Sequence, residues 1–209
     1  MRLLLKETRK DYFDADFVIM RGDRFLGGAQ VMDCYPEDTG QMLVHFREET
    51  VRLFYTPKEG RFSGYDPQYR HNIEKNKETS GSLTRESAGS GLFGKYQYIR
   101  LEYNGAVYSA YEIKLGDKGI CWPVYNKDKL IAQCYLDPEI ENDLYNYRIS
   151  AIDEESAYAA LLCCCYQYYA FTFVPGKELK PVYDLGSGRT RNTKLLSRYD
   201  PDFETGIAD

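Results

Sequence analysis

The stretch Ser156 to Phe171 reads SAYAALLCCCYQYYAF and carries no charged side chain. Asp153, just upstream, is a good helix N-cap, and Glu154 and Glu155 fall in the first turn, where the helix dipole favours negative charge. The alanines and leucines that follow are helix formers, so the spacing predicts a helix from about 153 to 170. A surface helix needs a polar face. Here the only clearly polar groups are Gln167 and the tyrosine hydroxyls, so every face is apolar and the helix must be surrounded.

Three surroundings are conceivable. Lipid is one, because the uncharged run to Val174 approaches the roughly 18 to 20 residues that cross a bilayer. Tyr158, Tyr166, Tyr168 and Tyr169 are spread along the run, however, whereas membrane tyrosines gather at the interface, and no basic cluster flanks it closely. A metal at Cys163-Cys164-Cys165 is the second. Thiolate ligands need spacing such as Cys-x-x-Cys to converge, and consecutive residues on a helix point about 100 degrees apart. Only His45 and His71 are available to complete a site. The third is the inside of the protein, with cysteine acting as a small apolar residue that lets neighbours come close. Apolar burial also raises a thiol pKa and makes it inert.

What surrounds the helix is predicted to be β-structure. Tyr makes up 20 of 209 residues, and aromatic side chains pack well across strands. A first block, up to about residue 56, offers 17–20 and 25–26 flanking a polar Gly-containing turn, then 29–32, 42–46 and 51–55. A second block is a meander of five strands: 96–103, the hairpin turn Asn104-Gly105, 106–115, 120–125, 130–136 and 145–152. Alternation assigns Val107, Tyr111, Ile113 and Leu115 to the core face of their strand and Tyr108, Glu112 and Lys114 to the other. It likewise assigns Tyr145, Tyr147, Ile149 and Ala151 inward. An open sheet of some ten strands leaves two bare edges, and closure into a barrel removes them. The expected class is therefore mainly β: a closed antiparallel barrel of about 10–12 strands around one buried hydrophobic helix.

Residues 57–94 are rich in Gly, Ser, Glu, Lys and Arg and are expected to be a polar, solvated insertion in a domain spanning 1–174. Residues 175–209 form a basic, Gly-containing tail. With net charge −5, generic nucleic-acid binding is disfavoured. The N-terminus has too few apolar residues for a secretory signal, and free thiols suit a reducing compartment, so a cytoplasmic location is expected, with at most peripheral membrane contact.

Tyr111-Glu-Ile-Lys114, Leu130-Ile-Ala-Gln133, Tyr145-Asn-Tyr-Arg-Ile149 and the Asp153-Glu-Glu155 helix start together resemble the tubby C-terminal-like superfamily. That group includes the LURP-one-related proteins and phospholipid scramblases. The resemblance is best over 96–171 and implies an antiparallel barrel of about twelve strands around a hydrophobic helix. Some of its members bind phosphoinositides through a basic surface, but the strands here show no matching Lys/Arg cluster, so no binding residue carries over. The family's helix also lies near the C-terminus, whereas here some 35 residues follow it.

Those residues are where charge reverses. Between 176 and 199, Lys177, Lys180, Arg189, Arg191, Lys194 and Arg198 stand against only Glu178 and Asp184. Gly-rich backbone beside guanidinium groups can cradle a phosphate, which makes Ser187, Arg189, Arg191 and Lys194 the candidate ligand residues. The spacing is not that of a nucleotide-binding loop. Leu195, Leu196, Tyr199 and Phe203 could dock the tail on the barrel or on a partner. The expectation is a non-enzymatic binding module for a phosphorylated small molecule, a lipid headgroup or a protein, with no cofactor or metal. The alternative is a hydrolase-type enzyme using the turn carboxylates Asp117, Asp128, Asp137, Glu139, Glu141 and Asp143, although no nucleophile–base constellation accompanies them.

Overall fold

A computed structural model describes residues 1–11, 14–32, 41–55, 70–90, 94–137, 144–172 and 188–207. Its strands are β1 (Arg2–Lys10), β2 (Asp14–Arg21), β3 (Arg24–Met32), β4 (Gln41–Phe46), β5 (Glu49–Tyr55), β6 (His71–Lys75), β7 (Glu78–Ala88), β8 (Tyr96–Tyr103), β9 (Ala106–Tyr111), β10 (Ile113–Lys114), β11 (Ile120–Asn126), β12 (Lys129–Leu136) and β13 (Asn146–Ala151). Each pairs antiparallel with its neighbours, β13 with β1 and β11 with β9. The result is a closed barrel of 12 strands, with the two-residue β10 as an extra pairing on β11. No strand of the ring is left with a bare edge.

Helix α1 (Glu154–Gln167) runs inside. Every residue from Ser156 to Tyr166 is buried, and α1 touches β1, β4, β8, β9, β12 and β13, which lie all around the ring. Asp153 caps it, its carboxylate accepting from the Ser156 amide at 2.8 Å. Those bonds hold its pKa below the usual carboxylate range. The cysteines fill the helix–strand gap: the Cys134 thiol of β12 donates to the Ala160 carbonyl at 3.8 Å. Burial pushes the thiols of Cys163, Cys164 and Cys165 up, as their apolar surroundings require. No described helix is long and apolar enough to cross a membrane.

Two expectations are corrected. Within 57–94, residues 71–88 are not a solvated insertion but the barrel strands β6 and β7, with His71, Ile73 and Leu83 fully buried. These strands need few large inward side chains because the helix supplies them. Tyr166 and Tyr169 meet the His71 ring edge-on at 5.0 and 5.4 Å. Gly81 also lets β8 approach so closely that a Cβ there would sit 2.1 Å from the Glu102 carbonyl oxygen. The second correction concerns β9, whose core-facing residues are Tyr108 and Ala110, while Val107 is exposed. Tyr111 and Ile113 are buried on the outer face, in a second apolar cluster with Tyr125 and Leu195. Tyr145, Tyr147, Ile149 and Ala151 do face inward.

The outer cluster exists because the C-terminal segment folds back over the barrel. Thr190 pairs with β10, its amide donating to the Lys114 carbonyl at 3.0 Å and its hydroxyl accepting from the Lys114 amide at 2.9 Å. The one-turn helix α2 (Thr193–Leu196) then inserts Leu195, and the Arg198 guanidinium lies over the rings of Tyr111 and Tyr125 at 5.0 and 4.9 Å.

One carboxylate is buried without a cation in bonding contact among the described residues. Glu7, beside a bulge in β1, is fully buried, accepting from the Tyr168 hydroxyl and from the Tyr145 amide at 2.8 Å. Burial raises its pKa and outweighs those bonds, which act the other way. The folded state therefore holds its proton more tightly than the unfolded chain. The stability this confers is present below the unfolded value near 4.5 and is lost as pH rises through the folded value. Glu7→Gln keeps an acceptor for the amide and stays neutral. Its stability relative to wild type, from urea melts between pH 4 and 8, should improve as pH rises, and a flat difference would refute the assignment.

Candidate functional site

Five two-residue turns, 22–23, 47–48, 76–77, 104–105 and 127–128, all lie at one end of the barrel, where α1 also begins. Asn104-Gly105 is the predicted turn, with φ of 50° and 79°. Because these turns are short, their rim stays low and the first turns of α1 are left facing an open concavity of ≈ 690 Å³. Its aromatic walls are Phe25, Phe46, Tyr103, Tyr108 and Tyr158. Phe46 stacks on Tyr158 at 5.6 Å, and Tyr103 meets Tyr158 edge-on at 5.6 Å.

Around these rings stand four carboxylates. Glu154 pairs with Arg47 at 2.9 Å, and Glu49 pairs with Lys75 at 2.7 Å while accepting from the Tyr103 hydroxyl at 3.2 Å. Glu155 accepts from the Tyr108 hydroxyl at 2.8 Å and forms no ion pair among the described residues. Glu48 sits in the rim turn. Burial, reinforced by Glu155, raises the Tyr108 phenol pKa, so it remains a proton donor at neutral pH. The Tyr158 hydroxyl is buried beside that of Tyr103 without a partner in good hydrogen-bonding geometry, and burial raises its pKa too.

The sequence-predicted residues lie elsewhere. Arg189 bridges Leu115, and its side chain runs along Gly116, where a Cβ would come within 2.8 Å of Arg189 Nε. Arg191 and Lys194 follow on the same docked segment, and all three are exposed without an ion pair among the described residues. The Lys114 side chain passes close to Gly188. This basic edge is set on the β9–β11 connection, at the end opposite the concavity. Ser187 lies outside the described residues.

The carboxylates considered for hydrolysis do not gather. Asp117 and Asp128 are separated by the length of β11, Asp137 pairs with Arg148 at 2.7 Å, and Glu139, Glu141 and Asp143 lie outside the described residues. No group of three His, Cys, Asp or Glu side chains among the described residues is placed to hold a metal. Comparison with known proteins finds no matching family, no matching curated protein and no matching solved structure.

Proposed function

We propose that the chain is a non-enzymatic binding module of the tubby-like type, taking a phosphate-bearing ligand on its outer surface at the basic edge of the docked tail. The resemblance rests on topology together with the four sequence stretches that suggested it: a 12-strand antiparallel barrel wrapped on a hydrophobic helix. Residues 188–207 closing over the outer wall are the departure from that type. External binding follows from the filled interior, since α1 occupies the space a barrel of this size would otherwise offer a ligand.

The observation that carries the phosphate reading is the pinned backbone under Arg189 and Arg191. An arm free in solution must give up conformational freedom to bind, whereas one bonded to Lys114 presents its cations in place. Guanidinium groups without an ion pair among the described residues suit phosphate oxygens. Against the hydrolase alternative, Asp137 of its turn carboxylates already holds a counter-cation, Arg148, and Asp117 and Asp128 stand at opposite ends of β11. A cytoplasmic location belongs to the same reading.

Arg189→Ala/Arg191→Ala tests it. Both side chains are exposed, so stability should change by less than about 0.5 kcal/mol per site. Binding to inositol phosphates in solution, or to vesicles containing an anionic phospholipid, should fall at least about fivefold and lose salt dependence. A response to vesicles alone would identify the ligand as a membrane headgroup, and a response to both as the phosphate itself. Unchanged binding across lipids and nucleotides would reject the proposal.

A further inference from the structure

We infer that the concavity at the N-terminal end of α1 is a second binding site, for an organic cation: an ammonium group carried on a small apolar body. The ≈ 690 Å³ volume matches a small-molecule pocket rather than a surface wrinkle. It is built from four separate parts of the chain: the β2–β3, β4–β5 and β8–β9 hairpins and the start of the helix.

The chemistry of its walls selects the ligand. Aromatic faces attract cations through the ring quadrupole, and they do so best where water is partly excluded. Tyr103 and Tyr108 donate their hydroxyl protons to Glu49 and Glu155, which leaves electron-rich rings and fixes both carboxylates. Anions are disfavoured here even though a helix begins at the site, because Asp153, Glu154 and Glu155 already answer the positive end of its dipole. Of the nearby cations, Arg47 is held by Glu154 and Lys75 by Glu49. Arg24 also lines the concavity, so four carboxylates there face two arginines, and Lys129 borders a smaller recess beyond Tyr108. Among the described residues Glu155 thus lines the cavity with a phenol as its partner and no ion pair, and the hydroxyl of Tyr158, a residue only 8% exposed, lacks a well-formed bond. Phe25, 62% exposed, stands on the rim as a loose wall that an apolar body would cover.

The test compares choline with its neutral carbon isostere 3,3-dimethyl-1-butanol, followed by NMR on the full chain. Choline should shift the resonances of Tyr103, Tyr108 and Tyr158, with the isostere binding at least tenfold more weakly. Phe25→Ala, which removes an exposed ring and leaves the core intact, should weaken choline several-fold. Glu155→Gln, which still accepts from Tyr108, should do the same. Arg189→Ala/Arg191→Ala should leave choline binding unchanged, which separates this site from the basic edge. Equal binding of the isostere would mean an apolar recess without cation selectivity and would overturn the inference. So would an absence of shifts at these tyrosines with choline at tens of millimolar.

Discussion

Cys164→Asp is expected to abolish cooperative folding. Cys164 is 3% exposed, near the middle of a helix ringed by strands, and the Cys134 thiol lies beside it. Among the described residues only cysteine thiols interact with it, so an aspartate there must either bury an unpaired charge or keep its proton with its hydrogen bonds unmet. Either state costs several kcal/mol, a large share of the 5–15 kcal/mol that separates a typical folded domain from its unfolded chain. Shape is not the cause, since Cys164→Ala removes a single heavy atom and should cost only about 1 kcal/mol. The Ala variant should therefore purify as a soluble protein with a sharp urea transition, and the Asp variant should be insoluble or lack near-ultraviolet dichroism. A soluble Asp variant that melts like wild type would show that the helix is not enclosed.

The enclosure itself was legible from one stretch of sequence, because a charge-free run with an N-cap and first-turn acids has few destinations. Asn104-Gly105 and the strands after it were equally readable, their turn chemistry and alternation agreeing. β6 and β7 were not. The inward position opposite Tyr103 is only Gly81, and the bulk that fills the core beside these strands belongs to Tyr166 and Tyr169, more than eighty residues away. The inversion at Val107 and Tyr108 has a related cause. Alternation reports which face is apolar, and Tyr111 and Ile113 are apolar because the tail covers them from outside. The concavity was illegible for a third reason: Phe25, Glu49, Tyr108 and Glu155 carry no spacing signal, and only closure of the barrel brings them together.

Gln133→Leu should detach the tail while leaving the barrel folded. Gln133 is fully buried on β12, and its side-chain amide behaves like a piece of backbone. It donates to the Asp200 carbonyl at 2.8 Å and accepts from the Asp200 amide at 2.9 Å, while also reaching the Tyr135 hydroxyl at 2.8 Å. Leucine keeps much of the volume and removes all three bonds. Two of the three reach the tail, so at about 1 kcal/mol net for each the docked segment should lose on the order of 2 kcal/mol. That loss falls on the tail, because Asp200 can return to water by lifting off, whereas the β12 ladder is untouched. Hydrogen exchange at the Thr190 and Leu195 amides should accelerate roughly 30-fold, with the β12 and α1 amides little changed. Phosphate-ligand binding should weaken in step, because Arg189 and Arg191 would then project from a backbone that must be ordered again on binding. If tail amides exchange no faster in the variant, Gln133 does not hold the segment. If they accelerate while binding is unaffected, the pinned backbone is not what presents the two arginines.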